Sequence, residues 1–84
     1  MKSKYIIADI GSCIVPIVFS ELMAHNDMAD SIRVTPERVL GAGFCYIEND
    51  RYVCYGRSIS LGINSREKVD SDFLNRYLGV DQDY

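Results

Sequence analysis

The chain has 84 residues, 48% apolar and 25% charged, which is the composition expected of one ordinary globular domain and excludes a disordered chain. Nine basic residues against twelve acidic ones leave a net charge of −3, without the clustered positive face that a nucleic-acid binder needs. The apolar run from Tyr5 is broken at Asp9, so neither a membrane span nor a signal peptide is expected, and three cysteines without disulfide-scaffold spacing fit a reducing cytoplasm.

Tyr5 to Ile10 and Cys13 to Phe19 read as two strands joined by Gly11-Ser12, the composition of a type II′ hairpin loop. Pro16 cannot donate to a ladder, so the second strand should lie at a sheet edge or turn that position outward. Ser20 suits an N-cap and Glu21 the positive end of a helix, which predicts a short helix from Glu21 to about Ala29 with Leu22, Met23 and Met28 on its apolar side. Asn26-Asp27 is where it can split, because both side chains compete for backbone hydrogen bonds. Thr35-Pro36-Glu37 has the residues of a helix start, yet Val39-Leu40-Gly41 ends it within a turn.

From Gly43 to Gly56 the sequence is almost a mirror about Asn49-Asp50. With those two as the loop, Glu48 faces Arg51, Tyr46 faces Val53 and Cys45 faces Cys54; a four-residue loop is the alternative. One face then carries Phe44, Tyr46, Val53 and Tyr55, the other Cys45, Ile47, Tyr52 and Cys54. Both are apolar, so the hairpin should be covered on both sides, and with so few helical residues the second cover is expected to be another copy of the chain. Ser58 to Ile63 alternates polar and apolar as a half-buried strand does, with Gly56 as either a bulge or a break. Val69, Phe73, Leu74, Tyr77 and Leu78 recur at helical spacing, with Gly79 as the C′ residue. The expectation is a single α+β domain over residues 1–79, a small antiparallel sheet of four or five strands (two hairpins plus a following strand) with two short helices, and an acidic tail at 80–84.

No catalytic signature is present. Cys13, Cys45 or Cys54 with His25 would make a nucleophile and base, but Cys45 and Cys54 sit inside apolar alternation, where cysteine acts as a small hydrophobe. As a non-hydrogen-bonded pair they would also suit a strained cross-strand disulfide, or remain free thiols. Zinc would need four ligands at closer spacing, so no metal or other cofactor is expected. The polar cluster Arg57, Ser58, Ser60, Ser65 and Arg66, with Asn64, has the parts of an anion or nucleotide-phosphate pocket, although no phosphate-loop spacing accompanies it and the serines also suit a solvated strand face and a helix cap. Tyr46, Tyr52 and Tyr55 are candidate interface residues, or core tyrosines.

Tyr5-Ile6-Ile7, Val15 to Phe19, Glu21-Leu22, Ala42 to Cys45, Cys54 to Gly56 and Ser58-x-Ser60-Leu61-Gly62-x-x-Ser65-Arg66 resemble small uncharacterised proteins of tailed phages and prophages. That resemblance implies a setting, the host cytoplasm, and a non-enzymatic accessory role. The expected function is binding, through self-association into a homo-oligomer and contact with a host protein in a counter-defence role. The alternative is sequestration of a small anionic ligand, such as a nucleotide signal, by Arg57, Ser58, Ser60, Ser65 and Arg66.

Overall fold

The computed structural model describes residues 2–79, and the acidic tail expected at 80–84 lies outside the described residues. Four strands, β1 (Ser3–Asp9), β2 (Ile14–Phe19), β3 (Val39–Glu48) and β4 (Arg51–Tyr55), form an antiparallel sheet in the order β2-β1-β3-β4. A separate ribbon pairs β5 (Arg57–Ser58) with β6 (Ile63–Asn64). Two helices, α1 (His25–Ser31) and α2 (Glu67–Leu78), and a 3₁₀ turn at Pro36–Arg38 complete an α+β fold.

Both hairpins follow from their loop residues. Ile10 N–H donates to Cys13 O at 3.0 Å, closing the two-residue loop Gly11-Ser12, and Gly11 carries the positive φ (100°) that a II′ loop places first. Bonded and unbonded pairs alternate from there, so Pro16, opposite Ile7, falls in an unbonded pair and its nitrogen points out of the sheet from the edge strand. Asn49 and Asp50 both take positive φ (53° and 62°), as a type I′ loop requires, which sets the register Glu48↔Arg51, Tyr46↔Val53 and Cys45↔Cys54.

The same alternation turns the backbone of Tyr52 and Cys54 toward the outer edge of β4. There α2 supplies the missing partners. Tyr52 N–H donates to Asn75 Oδ1 at 2.7 Å, Asn75 Nδ2 donates to Tyr52 O at 3.0 Å, and Cys54 N–H donates to Ser71 Oγ at 2.8 Å. Helix side chains thus close an edge that would otherwise template another strand.

Three local expectations are corrected. Ser20 caps a turn and not a helix: its carbonyl accepts from Met23 N–H and its hydroxyl from Leu22 N–H, both at 3.1 Å. Ala24 then stays extended (φ −72°, ψ 149°), which delays α1 to His25. The alternating run Ser58 to Ile63 is two short strands around a turn, because Gly62 (φ 70°) folds its N–H back to Ser58 O at 3.0 Å. The burial is inverted accordingly, with Ser58 buried and Ile59 83% exposed. Gly79 does not adopt the left-handed C′ conformation; its φ of −52° and ψ of 136° lead straight out of α2. Gly56, with φ 80°, separates β4 from β5.

The sheet is covered on both faces by its own chain. Ile6, Ala8, Phe19, Val39 and Ala42 pack with Val34 beneath Met28 and Ile32 of the α1 region and Leu61 and Ile63 of the ribbon. Tyr5, Ile7, Cys45 and Cys54 pack on the other face under Leu74 and Phe73 of α2. The central hairpin itself is covered by α2 on its Cys45–Cys54 face, while the ribbon covers Ile6, Ala8 and Ala42 and leaves Phe44, Tyr46, Val53 and Tyr55 only partly buried. The first face is left half-open at one end, around Phe44, Tyr46 and Tyr55.

Candidate functional site

The polar cluster singled out in the sequence is divided by the sheet. Ser65 and Arg66 lie on the α2 side and are committed to a buried carboxylate. Asp70 is fully buried; its Oδ2 accepts from Tyr5 O–H at 2.5 Å and from Arg66 N–H at 3.0 Å, while its Oδ1 accepts from Arg66 Nε at 3.0 Å and lies 2.8 Å from the second guanidinium nitrogen. Ser65 Oγ sits 2.6 Å from the Tyr5 hydroxyl, which leaves that hydroxyl with two partners. Burial first, and the Asp70 carboxylate second, push the Tyr5 pKa far above the usual phenol range. Such a phenol holds its proton and serves as a fixed donor. This is a clamp fastening α2 to the sheet, and Arg66 and Ser65 are spent in it.

Ser58 is also turned inward, where its Oγ accepts from Leu61 N–H at 3.1 Å and shapes the ribbon turn. Of the five, Arg57 and Ser60 face a common open space. They line a cleft of about 490 Å³ together with Lys2, Lys4, Ala24, His25, Phe44, Tyr55, Gly56 and Ile59. The register explains this company. Lys4 pairs with Phe44 across β1 and β3, and Phe44 with Tyr55 across β3 and β4, so the pleat puts all three on one face at its uncovered end.

Aromatic rings build the floor. Phe44 lies 5.8 Å from Tyr55, and Tyr55 lies 5.7 Å edge-on to Tyr46. His25 stands edge-on between Phe19 and Phe44 at 5.6 and 5.9 Å, buried, with Nε2 donating to Gly43 O at 2.8 Å. Desolvation lowers its pKa, the nearby Lys4 charge adds to that, and the bond to Gly43 opposes both. The imidazole, held by that bond, forms one wall of the cleft.

The cations stand around that floor. Lys4 Nζ donates to Met23 O at 2.8 Å, which holds it against the 20–24 turn with two protons to spare. Lys2 Nζ lies 4.9 Å above the Phe44 ring and 4.0 Å from Glu21, an exposed and weak pair. Among the described residues no carboxylate pairs with Arg57, and none lines the cleft. Ser60 Oγ accepts from Asn26 N–H at 3.2 Å and so ties the two loops that wall the cleft.

The other candidates resolve differently. Tyr46 and Tyr55 share the cleft face whereas Tyr52 packs on the α2 face, and Tyr46 and Tyr52 meet at the end of the sheet beside Ile47. The cysteines are free thiols; burial pushes Cys45 up to about 11 and Cys54 up to about 12, which makes both poor nucleophiles at neutral pH. Among the described residues no group of three or more His, Cys, Asp or Glu side chains is placed to hold a metal ion, and no helix is long and apolar enough to cross a membrane.

No family model matches the chain, and neither does any curated protein or solved structure. Function therefore rests on the chemistry of the cleft. Sequence reading missed Lys2, Lys4, His25 and Phe44 there, because the long-range pairing of β1 with β3 that assembles them leaves no local signal.

Proposed function

We propose that the chain is a non-enzymatic binding protein that captures a small organic anion in this cleft, with the anionic group against Lys2, Lys4 and Arg57 and a flat or apolar part against Phe44 and Tyr55. The observation that carries this is the lining itself: three cations converge on an aromatic floor, and among the described residues no carboxylate lines it, Glu21 reaching only Lys2 at 4.0 Å, in a chain whose net charge is negative. Concave sites of roughly 300–1,000 Å³ that combine apolar walls with a few polar groups are the usual form of small-ligand sites. A phage accessory role in the host cytoplasm agrees with this reading, since sequestering a signal needs affinity and no turnover.

A thermal-shift titration with phenyl phosphate tests it. Bound ligand adds about 2.7 kcal/mol at a hundredfold excess over Kd, which moves the transition of so small a domain by about 10 °C or more. A Lys4→Gln/Arg57→Gln variant should fold normally and lose that shift. A shift retained in the variant places binding elsewhere and defeats the proposal.

A second reading has its own support. Leu22 is 93% exposed and Ile59 83% exposed, on the two loops that wall the cleft, and aliphatic side chains so open to water suit a surface that a protein partner covers. Contact with a host protein, or self-association, would use that rim. Leu22→Ser/Ile59→Ser should then dissociate an oligomer seen by light scattering, and a wild-type monomer at tens of micromolar would remove self-association.

A further inference from the structure

We infer that the anion held in the cleft is a nucleoside phosphate, an inference that rests on the capture reading above. Three arguments join. First, a single carboxylate would neutralise one of the three lining cations, whereas a phosphate ester brings about −1.5 to −2 at neutral pH together with several acceptor oxygens for Lys2, Lys4 and Arg57. Second, a cleft of about 490 Å³ has room for roughly sixteen waters at about 30 Å³ each, so a phosphate group alone would leave most of it wet. A ligand that fills the cleft carries a body of substantial size beyond its phosphate. Third, that body meets aromatic rings and a hydroxyl. Phe44 presents its ring to the cleft with the Lys2 ammonium 4.9 Å from its centroid, and Tyr55 extends the aromatic surface across the neighbouring strand, which suits a flat heterocycle. Ser60 lines the same cleft; its Oγ accepts from Asn26 N–H and lies 3.5 Å from Ser58 Oγ, and its hydroxyl can turn from that long contact to a sugar hydroxyl or a base heteroatom. A bare aryl phosphate would reach the cations and the rings and offer the Ser60 hydroxyl no such partner.

Isothermal titration of the full chain with adenosine 5′-monophosphate, cytidine 5′-monophosphate, adenosine, phenyl phosphate and inorganic phosphate tests this. At least one nucleotide should bind tenfold or more tighter than each of the other three probes. Tyr55→Leu should weaken the nucleotide about tenfold or more and inorganic phosphate less than threefold, with Phe44→Leu as the replacement should circular dichroism show Tyr55→Leu unfolded. Phenyl phosphate matching both nucleotides, or adenosine binding as tightly as its phosphate, overturns the nucleoside phosphate and leaves anion capture standing. Equal weakening of every probe by the ring variants also overturns it. No binding by any of the anions brings down both readings.

Discussion

Replacing Gly41 by alanine should cost this small protein a large part of its stability, and the reason lies across the sheet in Asp70. A Cβ built at Gly41 would stand 2.2 Å from Asp70 Oδ2 and 2.7 Å from Oδ1, so the carboxylate must retreat by about 1.2 Å to reach the 3.4 Å of ordinary contact. It has nowhere to go. Its bonds to Tyr5 O–H and Arg66 N–H, 2.5 and 3.0 Å long, cannot stretch that far and survive. Losing the charged bond to a buried phenol costs about 1.5–3 kcal/mol, and the Arg66 pair adds about 1 kcal/mol or less because the guanidinium is 42% exposed. About 3 kcal/mol is therefore expected, against roughly 4–12 kcal/mol in total for a domain of this length. In urea denaturation, with a slope near 1 kcal/mol/M, the midpoint should fall by about 3 M. The decisive control is a double-mutant cycle. Asp70→Ala removes the atoms that Gly41→Ala strikes, so the double variant should be no less stable than Asp70→Ala alone. Strict additivity, or a midpoint change under 0.5 M for Gly41→Ala, would refute the clamp.

Three further outcomes follow from individual residues. His25 is the chain's one histidine and its folded-state pKa is lowered by burial, so its contribution is full above about pH 6.5 and is lost as pH falls; the unfolding free energy should decline from pH 7 to 5 by at most about 1.4 kcal/mol per unit, and the slope should flatten in His25→Gln. An unchanged slope in the variant would show that His25 is not the group being protonated. With an aromatic thiol-labelling reagent at pH 8, exposed Cys13 should react quickly and Cys45 and Cys54 only as fast as the domain opens, whereas three fast thiols would contradict their burial. Asp50, held at φ 62° in the type I′ loop, should gain about 0.5–1 kcal/mol on replacement by glycine, read as a higher melting temperature; a loss would mean the loop conformation is otherwise.

What the sequence made legible was local. The mirror around Asn49-Asp50 and the Gly11-Ser12 loop set their hairpins because turn chemistry and a two-residue period act over neighbouring positions, and Pro16 announced its edge for the same reason. The helical spacing from Val69 likewise gave α2. The rest depended on contacts between distant segments. Asp70 reads as one more acid in a polar stretch, and only the approach of α2 to Gly41 and Tyr5 makes it the buried centre of a clamp that takes Ser65 and Arg66 out of the expected pocket. Ser58 and Ile59 exchange places because Gly62 folds the chain back on itself, a turn hidden inside an alternating pattern. Lys2 and Lys4 look like a basic start to the chain, and they join Arg57 only when β1 pairs with β3.

The cleft account is tested most directly by mapping where an anion lands. Titration of phenyl phosphate into isotopically labelled protein, followed by two-dimensional amide NMR, should move the signals of Lys4, His25, Phe44, Tyr55, Arg57 and Ser60 together along one saturating curve. Saturating shifts centred on Ser65, Arg66 and Asp70, or no saturating shifts at all, would contradict it.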